Sequence, residues 1–205
     1  MNLIRTTTEF AMYIVAGYVE PGDLVIDATC GNGHDTLRLA GMEPGRLYAF
    51  DLQREAIENT TRLLEENGFS GAIRSGRFRI LQQGHEHMAR AIAADLGASP
   101  EDEDSCKGIA AAVVFNLGYL PGGDKSLTTA EETTLAAVRQ AMHLLAEDGI
   151  LSITMYSGHE SGKKEKEALL AFAEGLDART WHVSFIQMLN QRKAPPEILL
   201  ITKKG

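Results

Sequence analysis

Two stretches carry side chains that could do chemistry. In FNLGYLPGGDK, residues 115–125, a short apolar run delivers Asn116 into a bend rich in glycine, followed by Tyr119 and the pair Asp124-Lys125. An amide at the mouth of a buried strand can accept one hydrogen bond and donate another. In DATCGNG, residues 27–33, a similar run ends in Asp27, with Gly31 and Gly33 close behind. Glycines there let backbone approach a ligand with no Cβ in the way, and the helix that follows presents free N–H groups. Asp51 closes the next apolar run, about 20 residues after the glycines, where a carboxylate accepts ribose hydroxyls.

These residues need a frame that gathers strand ends. A capping box, Thr6-x-x-Glu9, starts a first helix with Phe10, Tyr13, Ile14 and Tyr18 at helical spacing, and Pro21-Gly22 stops it. Strands are expected near 24–27, 46–51, 77–83, 109–115 and 149–156, separated by helices at 34–40, 52–67, 85–96, 128–146 and 163–174. Ile57, Leu63 and Leu64 mark the apolar side of the helix that Gly68 should end. Two last strands, WHVSFIQML and EILLITKK, flank the turn NQRKAPP. So short a link permits a hairpin and forbids a parallel crossover. The expected fold is α/β, a doubly wound Rossmann-like sheet of about seven strands, with the last hairpin supplying one antiparallel strand. One domain over 1–205 is expected, with residues 1–20 as a helix packed on it.

In such sheets ligands bind beyond the carboxyl ends of the strands. The candidates for cofactor binding are therefore Asp27, Thr29, Gly31, Asn32, Gly33, Asp35 and Thr36 after the first strand. Asp51 and Gln53 follow the second, Gly84 and His85 the third, and Asn116 the fourth. Three readings compete. A dinucleotide needs a third small residue, but Gly31-x-Gly33 is followed by Thr36, and Asp27 would repel a pyrophosphate. S-adenosylmethionine (SAM) has an ammonium for Asp27, a carboxylate for the helix start, a ribose for Asp51 and no phosphate. A bare glycine turn is the third.

On the acceptor side, Asn116 is the first catalytic candidate. Its amide oxygen can accept from an amine N–H, and the carbonyls of Leu117 and Gly118 can accept another. This corner is similar to the Asn-Pro-Pro-Tyr corner of amino-directed methyltransferases. Tyr119 either stacks on a flipped base or covers the core. Asp124 and Lys125 either close over the substrate or lead into a helix. Tyr156 and His159, in YSGH after the fifth strand, lie on the same rim. His159 contacts substrate, relays the proton that the amine loses, or is an ordinary loop histidine. No metal is expected. His85-Glu86-His87 suits adenine contact or a helix start, and Cys30 is a small filler.

The chain of 205 residues has a formal net charge of −8, which excludes a large non-specific grip on nucleic acid. The last fifty residues nevertheless hold a slight basic excess, with Lys163, Lys164, Lys166, Arg192 and Lys193 as candidate RNA contacts. A homodimer would pool two such faces. Two cysteines are too few for a disulfide framework, no apolar run reaches the length of a membrane span, and the N-terminus lacks a signal-peptide pattern. A cytoplasmic location is expected.

Together DATCGNGHDT (27–36), FDLQ (50–53), FNLGYLPGGDKS (115–126), YSGH (156–159) and NQRKAPPEILLITK (190–203) resemble the bacterial rRNA methylase family of class I SAM-dependent methyltransferases. The resemblance covers nearly the whole chain. It departs at Thr29, where many class I enzymes have glycine, and in the acidic segment 97–107. It implies SAM as cofactor and tRNA, at the anticodon stem-loop, as partner. The implied reaction methylates the 5-aminomethyl group of 2-thiouridine at the wobble position. An rRNA methyltransferase and a small-molecule N-methyltransferase are the alternatives on the same fold.

Overall fold

A computed structural model describes residues 6–99, 102–118, 131–191 and 194–205. Its strands are β1 (Leu24–Asp27), β2 (Arg46–Asp51), β3 (Phe78–Gln82), β4 (Ala110–Leu117), β5 (Leu145–Met155), β6 (Trp181–Ile186) and β7 (Glu197–Lys203). The helices are α1 (Thr7–Val15), α2 (His34–Ala40), α3 (Arg54–Glu66), α4 (Ser70–Arg74), α5 (Met88–Asp95), α6 (Glu131–Leu144) and α7 (Glu160–Glu174), with 3-10 turns at His85–His87 and Glu103–Cys106. The strands form one sheet in the order β3-β2-β1-β4-β5-β7-β6. The pairs β2·β3, β1·β2, β1·β4 and β4·β5 are parallel. β7 runs antiparallel to both β5 and β6, so the hairpin supplies one reversed strand, as its short link requires.

Strand alternation divides the core between the two faces of the sheet. Ile26, Tyr48, Phe50, Val113 and Phe115 pack with Met88, Ile92, Val138 and Leu169 from α5, α6 and α7. Val25, Leu47, Ala49 and Val114 pack with Met12, Val15, Leu39 and Leu64 from α1, α2 and α3. Strand order reverses between β1 and β4. Asp27, at the end of β1, therefore faces Val114 in register, two residues short of Asn116. The topology alone sets the two candidate stretches side by side.

Several local expectations change. In α1 the buried face is Thr7, Ala11, Met12 and Val15. Phe10 and Ile14 flank it, half-buried, while Tyr13 and Tyr18 are exposed. The helix ends at Val15, so Tyr18 never joins its stripe. Only half of the first capping box forms: Thr6 Oγ1 accepts from Glu9 N at 3.1 Å, and the Glu9 carboxylate turns to Arg38 instead. Residues 85–87 are a 3-10 turn ahead of α5, and α4 and the second 3-10 turn arise inside expected loops. The buried Cys106 fastens the acidic segment, its thiol donating to Ala89 O. β5 begins at Leu145, which pairs with Ala110 ahead of a turn at Asp148 with φ 59°. β6 stops at Ile186, and the side chain of the next residue, Gln187, donates to Glu197. Thr128 of the second capping box lies outside the described residues. Among the described residues no helix is long and apolar enough to cross a membrane.

Candidate active site

The loop after β1 closes on itself. Asp27 is fully buried; its Oδ2 accepts from Thr36 Oγ1 at 2.6 Å and its Oδ1 from Thr29 N at 3.2 Å. Burial pushes this carboxyl up to about 7, the nearby charges of Asp35 and Asp51 add to the rise, and the bonds from Thr36 and Thr29 oppose it. Asp27 therefore ties strand, loop and α2 together, and its carboxylate is not presented to an ammonium as the sequence suggested. The Cys30 thiol is buried and held protonated, its pKa raised first by burial and then by Asp27.

Gly31 and Gly33 both take positive φ, 52° and 83°. A Cβ on Gly33 would stand 2.8 Å from Thr60 Cα of α3, so this close approach admits glycine alone. Gly31 N donates to Asp51 Oδ2 at 3.0 Å and Gln53 N to Asp51 Oδ1 at 2.9 Å. Each carboxylate oxygen retains a further lone pair. α3 braces the loop: Thr60 Oγ1 donates to Gly31 O at 3.1 Å, and Asn59 Nδ2 donates to Asn32 Oδ1 at 3.0 Å. Gly84 is buried at the end of β3. His85 is buried too, its ring 5.6 Å from that of Phe115. Burial lowers its pKa, so the imidazole is neutral.

Asn116 joins this loop to the acceptor side. Its backbone N–H donates to Thr29 Oγ1 at 2.6 Å, which gives Thr29 a role a glycine could not fill. Its Nδ2 donates to Asp35 Oδ2 at 2.8 Å. Its Oδ1 is buried and has no hydrogen-bond partner among the described residues. Buried acceptors are ordinarily satisfied, so this oxygen marks a place for a donor that the described residues do not supply. Asp35, half of the same contact, is itself buried and ion-paired with Arg38 at 2.8 Å.

The rim beyond β5 differs from its expectation. Tyr156 is 41% exposed, its hydroxyl 3.2 Å from Thr8 Oγ1 of α1, and its Cβ packs against Gly118. His159 is the N-cap of α7: its Nδ1 accepts from Gly162 N at 2.9 Å. That bond commits Nδ1 as the acceptor of the cap and places the ring proton on Nε2. A proton-relay role for His159 does not fit this geometry. Lys166, a candidate RNA contact, is instead bound to Glu197 at 2.5 Å and lies 5.4 Å over the Phe185 ring. Gln187 and Ser157 also donate to Glu197. Burial would raise the Glu197 carboxyl, yet the bonds from Lys166 and Gln187 outweigh it and bring the pKa below its ordinary value. Lys163 and Lys164 remain exposed. Tyr119, Asp124, Lys125, Arg192 and Lys193 lie outside the described residues.

Sequence reasoning missed Arg38, Thr60 and Glu197. Arg38 stands three residues after Asp35, a helical spacing that brings the two side chains together. Thr60 gives no sequence signal, since its role depends on α3 crossing the glycine loop. Glu197 follows the prolines of NQRKAPPE, where the hairpin returns to the rim.

The chain is similar to known proteins over most of its length. A family model described as "Putative rRNA methylase" matches residues 47–202. The chain is 35% identical over 208 residues to the chloroplastic tRNA (mnm(5)s(2)U34)-methyltransferase of Arabidopsis thaliana, covering 98% of this chain and 71% of that protein. A structure from Clostridium thermocellum with the same family description superposes with a TM-score of 0.84 at 35% identity, over 98% of both chains. A Streptococcus mutans protein described as a methyltransferase, solved in complex with SAH, gives 0.81 at 30% identity over 98% of this chain and 99% of that one.

Proposed function

Because the chain belongs to the rRNA methylase family of methyltransferases, we propose that it is a SAM-dependent tRNA methyltransferase. The acceptor is the amine of the 5-aminomethyl group of 2-thiouridine at the wobble position. The observation that carries this reading is the buried Asn116 Oδ1 with no partner among the described residues, at the switch point of the sheet. An acceptor-only atom there suits a substrate that donates an N–H. The substrate class follows the name of the Arabidopsis relative.

SAM, when bound, supplies an electrophilic methyl group on a sulfonium. The glycine loop suits the cofactor: Gly31 carries no Cβ, Gly33 lets α3 close against the loop, and Asp51 keeps lone pairs for a ribose. Asn116 Oδ1 accepts one N–H of the neutral amine and turns the nitrogen lone pair toward the methyl carbon. Positioning of this kind, about 3 Å from the reacting atom with water excluded, is the larger part of what such a protein contributes. Once methylated, the amine is cationic and gives its proton to solvent, since His159 is committed as a helix cap. Tyr156 borders the acceptor side, and the exposure of Lys163 and Lys164 supports a phosphate-facing role for them. The enzyme works in the cytoplasm in this reading, where tRNA and a reducing environment coincide.

Mass spectrometry of tRNA nucleosides from cells lacking this protein tests the proposal. The expected result is accumulation of the aminomethyl nucleoside with loss of its methylated form. An unchanged tRNA profile with a lost rRNA methylation would assign the enzyme to rRNA, and a profile unchanged in both would favour a small-molecule acceptor.

A further inference from the structure

A chain of polar contacts runs from α1 to the Asn116 amide. Glu9 Oε1 meets Arg38 Nη2 at 3.4 Å, Arg38 Nη1 meets Asp35 Oδ1 at 2.8 Å, and Asp35 Oδ2 meets Asn116 Nδ2 at 2.8 Å. Asp35 is buried at the centre of this chain. The orientation of an asparagine amide is fixed by what its neighbours can donate or accept. A carboxylate only accepts, so the end of Asn116 that faces Asp35 must be the NH2. The other end, the one left for a ligand, must then be the carbonyl oxygen.

We propose that Asp35, held by Arg38, is a positioning residue that sets which end of the Asn116 amide faces the acceptor, and so selects an acceptor that donates an N–H. This rests on the reading of Asn116 as the partner of the substrate amine. The contacts make a sharp forecast for Asp35→Asn. The amide introduced at position 35 would give its oxygen to Arg38 and its NH2 to Asn116. Asn116 would then rotate its own oxygen toward residue 35 and present NH2 to the site. A donor would replace an acceptor, at nearly constant volume. Exchanging the two side chains, Asp35→Asn with Asn116→Asp, restores the pattern. The new amide donates to the new carboxylate, whose second oxygen again faces the ligand.

Sinefungin and SAH report on this directly, because sinefungin carries an amine where the methylsulfonium of SAM would be and SAH carries nothing there. The measurement is the ratio of their dissociation constants, with melting temperature confirming a folded protein. Wild type is expected to prefer sinefungin by about 10-fold, of the size of a hydrogen bond to a charged group. Asn116→Ala and Asp35→Asn should each abolish that preference, and the exchanged double variant should recover it. Arg38→Gln, which keeps the carboxylate but loosens its hold, should cut the preference about 3-fold, and serves where Asp35→Asn does not fold. If Asn116→Ala loses the preference while Asp35→Asn keeps it, Asp35 does not set the amide, and the reading of Asn116 survives. If the exchanged variant folds without recovering the preference, or folded Arg38→Gln retains all of it, the inference is likewise overturned. If wild type shows no preference, or Asn116→Ala retains it, the reading of Asn116 falls and this inference falls with it.

Discussion

The loop after β1 and the corner after β4 sit side by side and differ in one respect. In the loop, three side chains singled out for function find partners within the chain: Asp27 in Thr36 and Thr29, Asp51 in Gly31 and Gln53, Asn32 in Asn59. At the corner the Asn116 NH2 is satisfied by Asp35, while its buried oxygen has no partner among the described residues. A closed loop is a preformed cradle that need not rearrange when a ligand arrives. An unmatched buried acceptor costs roughly 1–3 kcal/mol in the empty protein, a cost a ligand N–H removes. The cradle supplies fit and the corner supplies chemical selection.

The largest effect that would break this contrast is on catalysis. Asn116→Ala should lower the methyl-transfer rate by about 100-fold, the scale on which one aligned polar group acts at a reacting centre. SAH affinity should move less than about 3-fold in the same variant. Equal losses in both would mean that the corner belongs to the cradle. Next is the cradle itself. Gly33→Ala meets Thr60 Cα at 2.8 Å and sits at φ 83°, so calorimetric titration should show SAH binding weakened by at least about 10-fold, with a melting temperature lowered by several degrees.

Two carboxylates then sharpen the contrast through pH. Asp27 holds a pKa of about 7 in the folded chain, above its ordinary value of 3.8. The folded state thus binds the extra proton between about pH 4 and 7, and stability from this group falls as pH rises through that window. Asp27→Asn keeps both bonding partners and removes the titration. Its melting temperature relative to wild type should climb between pH 5 and 8, by an amount corresponding to at most about 3 kcal/mol. Glu197 has the opposite sign. Its pKa is lowered, so its contribution is present above the ordinary carboxylate range and is lost as pH falls through the lowered value. Glu197→Gln should be least destabilising in acid and most at neutral pH, with a few-fold loss of transfer rate because Ser157 and Lys166 lose their anchor.

Much of this molecule could be read from its sequence because the signals were local. Apolar runs ending in Asp27, Asp51 and Asn116 marked both the strands and the strand ends, and the proline-rich link between the last two strands marked the reversed one. What stayed hidden depends on contacts between distant segments. Asp27 looked like a ligand for a cation, but its burial follows from α2 folding back to offer Thr36. His159 looked like a proton carrier until the start of α7 placed Gly162 N against its Nδ1. Tyr13 has the spacing of a buried stripe, yet α1 meets the sheet through Ala11 and Met12, which permit a closer approach. The Arg38–Asp35–Asn116 chain joins α2 to the end of β4, and nothing in a single segment announces it.

The central claim is that a nitrogen, presented by an RNA base, receives the methyl group opposite Asn116. It is tested most directly with the purified protein, labelled SAM and two anticodon stem-loops that differ only at the wobble uridine, one bearing the 5-aminomethyl group and one lacking it. Label should enter the aminomethyl RNA alone, and the digested nucleoside should be one methyl heavier on the exocyclic nitrogen. Equal labelling of both RNAs, or labelling of neither while rRNA accepts the methyl group, would contradict the account.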